Sequence, residues 1–313
     1  MNISVIIPVY NASEFLEKAV DSALQFDEVQ EIVLVEDKST DNSLEICQKL
    51  IVKDSRIKLF QHPDKGNHGA GATRNLGLEK ANCELISFLD ADDYYLSNRF
   101  DAEKDLFRDT KVEGIFGAIG VEYLTEKGRE AFQDKFKNIS LTTVNFPAEG
   151  KDVFRGLLGL TPKIFGTFFH LNALTIRKSV LIKNNLRFNE NLRVHQDSDF
   201  ITKLAYHCYL KSGIIDKAIA IRGVHDNNRI TKIKKYSKDY NQRQFLLWDS
   251  LYQWSKTIQT DADVTQHLFL QKKAFELAIK KGFLKITDLI SVILRNPRIL
   301  KTRYRFTYTN HEA

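Results

Sequence analysis

Short apolar runs alternate with stretches in which apolar residues recur every three or four positions, and this alternation begins at the first residues of the chain. Residues 3–9 are a run rich in β-branched side chains, interrupted by Pro8, and predict a buried strand. Asn11 and Glu14 then have capping-box spacing and predict a helix over about 12–24. The theme repeats: 31–36 reads as a strand and 39–43 as a turn with an N-cap, and Leu44, Cys47, Leu50 and Ile51 fall on one helical face. A strand over 56–61, a glycine-rich loop over 66–71, a helix over 72–81 and a strand over 84–89 complete the series. Strands alternating with helices imply a mostly parallel sheet covered on both faces, with ligands bound beyond the carboxyl ends of its strands. Tyr10, Asp37 and Asp92 fall at such ends. From about residue 236 the pattern becomes purely helical, over 240–254, 264–279 and 283–294, and carries no catalytic motif.

The strand over 84–89 runs directly into Asp90, Ala91, Asp92 and Asp93. Side chains two apart in an extended segment share a face, so Asp90 and Asp92 can converge while Ala91 turns away. Two converging carboxylates repel unless a cation or protons compensate, and hard cations such as Mg2+ and Mn2+ prefer oxygen ligands. A plain acidic turn or helix cap would give the same local sequence, so the meaning of this segment depends on its company.

Composition narrows the classes. With 313 residues, 43% hydrophobic and 27% charged, the chain is an ordinary folding sequence, long enough for one large α/β domain or a core with an appendage. Cys47, Cys83 and Cys208 lack metal-type spacing and read as reduced packing residues. The first residues have neither the basic start nor the apolar core of a secretory signal, and no run is long enough to span a membrane. The expected location is cytoplasmic, with peripheral contact at the inner face of the cell membrane as an extension. The formal charge of +6 is uneven, with Lys and Arg gathered after Arg222. No aromatic–basic recognition motif or zinc spacing supports a nucleic-acid partner, and phosphate or anionic lipid suits the basic half better.

Five segments together identify a resemblance. Ser4-Val-Ile-Ile-Pro-Val-Tyr-Asn11, Val35-Glu-Asp-Lys-Ser-Thr-Asp41, the glycine-rich run 67–77, Phe88-Leu-Asp-Ala-Asp-Asp93 and the segment 188–200 resemble, in order and separation, the motifs of the family 2 inverting glycosyltransferases. The resemblance covers roughly the first seven tenths of the chain and fades beyond about Asp226. It implies a GT-A fold, Rossmann-like, over 1–225, with nucleotide-sugar binding in about 1–100 and the acceptor side in about 101–225. A basic flap and a helical region would occupy 226–313.

The resemblance also implies roles. Pro8, Tyr10, Glu36, Asp37, Arg74 and Asp90 would serve the nucleotide and its diphosphate. A tyrosine ring can stack on a base, a carboxylate can accept a uracil imide N–H, and a guanidinium fork suits a diphosphate or an acid. Glu36 stands where the family often has Asp. Asp92 and His225 would hold Mn2+ or Mg2+. Asp197 would be the base that deprotonates the acceptor hydroxyl, since inversion needs a carboxylate on the face opposite the leaving group. Gln196 replaces the family's frequent Glu, and Asp199 offers a second carboxylate, so the base is either Asp197 or Asp199; the residues alone also allow Asp197 or Ser198 to be a simple N-cap. The implied reaction moves a sugar from a UDP-sugar to a glycan or lipid-linked acceptor, in cell-surface polysaccharide synthesis. The rivals are a sugar-nucleotide pyrophosphorylase, whose glycine-rich loop should follow the first strand where Pro8 to Asn11 stand, and a non-catalytic sugar-binding protein.

Residues 227–235 read as a basic flap near phosphate. The run 283–294, followed by Arg295, Arg298, Lys301, Arg303 and Arg305, reads either as an interfacial amphipathic helix with a basic flank or as a helix packed on the core.

Overall fold

A computed structural model describes residues 1–136, 140–166, 168–226, 228 and 237–302. The flap over 227–235, apart from Asn228, lies outside the described residues, as do Arg303 and Arg305. The chain divides into two compact units, one of residues 1–193 and 200–228, the other of 194–199 and 229–313.

In the first unit, the chain alternates β1 (Ile3–Val9), α1 (Leu16–Leu24), β2 (Val29–Glu36), α2 (Ser43–Lys53), β3 (Ile57–Gln61), α3 (Ala70–Lys80) and β4 (Leu85–Phe88). There follow β5 (Tyr94–Tyr95), α4 (Asp101–Leu106), β6 (Gly114–Phe116), β7 (Ala118–Tyr123), α5 (Glu126–Phe136) and α6 (Lys151–Leu157). A 3-10 turn (Leu171–Ala173) leads into β8 (Leu174–Arg177), α7 (Lys178–Lys183), α8 (Gln196–His207), β9 (Leu210–Ser212) and β10 (Ala218–Val224). The main sheet has the order β3-β2-β1-β4-β8-β6-β9, and a smaller one the order β5-β10-β7. β1 lies between β2 and β4, parallel to both, and is buried along its length except at half-buried Pro8, which explains its nearly continuous apolar run. The expected α/β class and mostly parallel sheet are present. β8, however, runs antiparallel to both β4 and β6.

Helix α1 presents Leu16, Ala19, Val20 and Ala23 to the core at spacings of three and four. It starts four residues later than the capping box predicts. Asn11 has a left-handed φ of 49° and its side chain accepts from Thr40 N–H at 2.7 Å instead of capping. The hydroxyl of Ser43 accepts from Ala12 N–H at 2.8 Å and the carboxylate of Asp41 from Ser13 N–H at 3.1 Å, so residues 11–13 serve the loop after β2. Cys47 and Cys208 are buried thiols. Burial, then nearby Glu36, pushes Cys47 up to about 12, consistent with a packing role.

The second unit is helical: α9 (Lys238–Thr257), α10 (Ala262–Ile279), α11 (Gly282–Arg295) and a 3-10 turn (Pro297–Lys301). Ser237 caps α9 by accepting from Tyr240 N–H. α9 and α10 pack antiparallel, with Tyr240 against Phe275, Trp248 against His267, and an Asp249–Lys272 ion pair of 2.6 Å. Among the described residues no helix is long and apolar enough to cross a membrane.

Candidate functional site

The carboxyl ends of β1, β2 and β4 bring the sequence-marked residues of the first unit to one edge of the sheet. Tyr10, just past β1, is 46% exposed and free to offer its ring. Glu36 and Asp37, at the end of β2, are both buried. Glu36 accepts from Ser39 N–H at 2.5 Å and from the Gln61 amide at 2.6 Å. Asp37 accepts from His68 N–H at 2.7 Å on one oxygen, and from Gly69 N–H at 2.8 Å and the Asn67 amide at 3.1 Å on the other. The glycine-rich loop is therefore strung from Asp37. Gly69 ends that loop with φ +83°, and a β-carbon there would strike the Arg193 guanidinium.

The loop delivers α3, whose polar inner face includes buried Arg74 and Asn75. A buried guanidinium requires an acid. Arg74 finds Asp90 at 2.5 Å. Asn75 brackets Phe188, donating to its carbonyl at 2.9 Å and accepting from its N–H at 2.8 Å.

The turn after β4 is held at three points. The Asn172 side chain, wholly buried, accepts from Asp90 N–H at 3.1 Å and donates to the Asp93 carboxylate. Gly223 N–H donates to the other Asp93 oxygen at 2.9 Å, and a β-carbon on Gly223 would collide with the Asp92 carbonyl. Asp92 itself faces His225 Nε2 at 3.2 Å and the Asn228 amide at 3.0 Å, and the His225 ring packs on Phe15. His170 Nε2 lies 3.9 Å from Asp90.

Electrostatics follow from this crowding. Burial pushes the Asp90 carboxyl up, but Arg74, His170 and Arg222 outweigh it and hold it below its usual range. Burial, then the charges of Asp92 and Asp90, pushes Asp93 well above its usual 3.8. One carboxyl is thus kept ionised while its neighbour resists ionisation, as expected where acids converge without enough positive charge. Carboxylate oxygens suit Mn2+ or Mg2+, and Asp90, Asp93 and His170 present ligand atoms within 4.8 Å of one another. The donor set therefore fits a hard divalent cation.

Asp197 and Asp199 belong to the stretch of α8 grouped with the second unit. The helix starts at Gln196, so Asp197 is its second residue and not its cap, and it accepts from Ser198 N–H at 2.8 Å. Asp199 is fully buried and accepts from the Ser250 hydroxyl at 2.7 Å. Residues absent from the sequence reading are Asp93 as a buried hinge, Asn172, His170 and the Gly223 amide. The triple acid run marks Asp93, but nothing local marks the others.

Comparison with known proteins agrees with the geometry. Residues 4–169, more than half of the chain, match the family described as Glycosyl transferase family 2. An uncharacterized glycosyltransferase of Rickettsia felis is 28% identical over 94% of this chain and 45% of its own length. The minor teichoic acid biosynthesis protein GgaA of Bacillus subtilis is 28% identical over 64% of this chain and 42% of its own. The chain thus spans less than half the length of these curated relatives. The crystal structure of S. aureus TarS 1-349 in complex with UDP-GlcNAc superposes with TM-score 0.63 at 18% identity, covering 99% of this chain and 88% of that one, which shows a shared fold. With this match, and with acids, arginine and histidine gathered at the strand ends, the chain belongs to glycosyl transferase family 2.

Proposed function

We propose that this chain transfers a sugar from a UDP-sugar to a glycan or lipid-linked acceptor with inversion, assisted by Mn2+ or Mg2+, in the synthesis of a cell-surface polysaccharide. The observation that carries the reading is the turn Asp90 to Asp93, which presents its acids beyond the end of β4 beside Arg74 and His225. The donor class draws support from the fold shared with the UDP-GlcNAc complex of TarS, and the polysaccharide role from the relative named for teichoic acid biosynthesis. Contact between the basic C-terminal helices and the membrane belongs to the same reading.

In this reading Tyr10 stacks on the uracil, and Asp37, which as a carboxylate has about four acceptor positions and uses three, takes the imide N–H on the last. Pro8 and Glu36 shape the base pocket from the ends of β1 and β2. Asp92 and His225 hold the metal with Asp90 beside them, and the bound ion would neutralise the departing diphosphate. Arg74 keeps Asp90 ionised and oriented. Asp197, half-buried and less engaged than buried Asp199, takes the proton of the acceptor hydroxyl as that oxygen bonds to C1 and UDP leaves from the opposite face. Family membership sets the pyrophosphorylase reading aside, and the presence of Asp90, Asp92 and Asp197 speaks against a sugar-binding protein without turnover.

UDP release measured over a panel of UDP-sugars with Mn2+ tests the assignment. Asp92→Asn should lose metal-dependent UDP binding, whereas Asp197→Asn should keep UDP binding and lose at least about a hundredfold in turnover. No release from any UDP-sugar overturns the function, and full turnover by Asp197→Asn overturns the base.

A further inference from the structure

Helix α11 is amphipathic in the wrong sense for a helix that closes a soluble fold. Its large apolar side chains face outward: Phe283 is 78% exposed, Leu284 72%, Ile286 56%, Ile290 53% and Leu294 80%. Phe283, Ile286, Ile290 and Leu294 recur at spacings of three and four and so lie along one stripe. On the opposite side the chain has placed a cation, since Lys285 is buried with Val292. The following 3-10 turn continues the arrangement, tucking Ile299 inside and leaving Leu300 outside. Scattered surface apolar residues need no explanation, but a contiguous stripe of this kind marks an interaction surface.

The charges beside the stripe say which surface. Between Lys280 and Thr302 there are six cations, Lys280, Lys281, Lys285, Arg295, Arg298 and Lys301, against the single acid Asp288. Lys281 lies just before the stripe, and Arg295, Arg298 and Lys301 lie at its far end, all exposed. Cations bracketing an apolar stripe match a lipid interface, where side chains enter the acyl boundary while basic groups stay at anionic headgroups. A protein partner would need an apolar surface ringed by acids.

We infer that the outward face of α11 with its basic flanks is a docking surface for an anionic lipid bilayer. The inference rests on the proposed reaction for its purpose, namely concentrating the enzyme beside a lipid-linked acceptor, but its test does not depend on that reaction. The full chain is sedimented with vesicles of phosphatidylcholine alone and with vesicles of phosphatidylcholine and phosphatidylglycerol in equal parts. Binding is expected to the mixed vesicles only and to weaken in high salt. The variant Phe283→Ser/Leu294→Ser should partition about tenfold or more weakly, and Arg295→Glu/Lys301→Glu should lose the preference for the anionic lipid. Both should keep wild-type helix content and wild-type UDP release with a soluble acceptor, so that loss of docking and loss of catalysis are read separately. The inference is overturned if the wild-type chain stays in solution with the mixed vesicles, or if the apolar variant binds them as well as wild type. It is equally overturned if ultracentrifugation shows a dimer that the apolar variant abolishes.

Discussion

Replacing Arg99 with Met removes a cation that no solvent reaches, and the expected cost is large. Arg99 is wholly buried and Glu103 is 1% exposed. Their ion pair measures 2.6 Å, and the same guanidinium donates to the Asn172 carbonyl at 2.8 Å and the Leu174 carbonyl at 3.1 Å. Met makes none of these bonds and also loses the guanidinium's stacking over the Tyr95 and Phe100 rings. Breaking a buried pair by removing one partner costs about 3–5 kcal/mol, because the remaining charge stays buried without compensation. At roughly 2–4 °C per kcal/mol for a unit of this size, the thermal midpoint should fall by about 6–20 °C. The deficit has a definite pH dependence. Burial raises the Glu103 carboxyl above its usual 4.5 even though Arg99 and Thr175 pull it down, so the folded unit holds this proton more tightly than the unfolded chain. The stability linked to that proton is full below 4.5 and declines as pH rises through the folded value. Without Arg99 the folded value climbs further, so the decline extends to higher pH. Denaturant unfolding of wild type and Arg99→Met across acid and neutral pH should show a gap that is smallest in acid and widest at neutrality. A neutral-pH gap below about 1 kcal/mol, or one that widens on acidification, would refute the account of Arg99 as the charge that compensates buried Glu103.

Two further outcomes follow from contacts already described. In Gly223→Ala the new methyl group meets the Asp92 carbonyl, so the turn must shift and the Asp93 bond to residue 223 lengthens; overpacking of this sort costs about 1–3 kcal/mol. Calorimetric titration with UDP and Mn2+ should show about tenfold or more weaker binding by a protein that remains folded, and unchanged binding would mean the turn tolerates displacement. In the helical unit, burial lowers His267 to about 4 against the opposing charge of Asp263. The unfolded chain therefore takes up this proton first, and stability should be lost as pH falls from about 6.5 toward 4, by at most on the order of 3 kcal/mol. The NMR titration of the His267 ring gives the folded value directly, and a midpoint near 6.5 would contradict its burial.

What the sequence disclosed and what it withheld divide along the range of the interactions. β1 spans the predicted residues because a strand buried on both faces writes itself as a nearly continuous apolar run. The acids after β4 were visible because strand and turn are neighbours in the chain. The start of α1 was misplaced because Asn11 answers to Thr40, 29 residues away, and not to the helix that follows it. The antiparallel setting of β8 left no trace for the same reason, since parallel and antiparallel neighbours can share one apolar pattern. Distance along the chain hides the supports of the site most completely. Asn172 lies 82 residues from the Asp90 amide it accepts from, Gly223 lies 130 from Asp93, and His225 lies 133 from Asp92. Only His225 among them was foreseen, and that through resemblance to a family rather than through any period in the residues. A chain of this class announces the groups that meet ligand, which stand at strand ends in short runs. It conceals the groups that hold those in place, because a single buried Asn or a glycine amide acts through one long-range bond and needs no repeating pattern to do so.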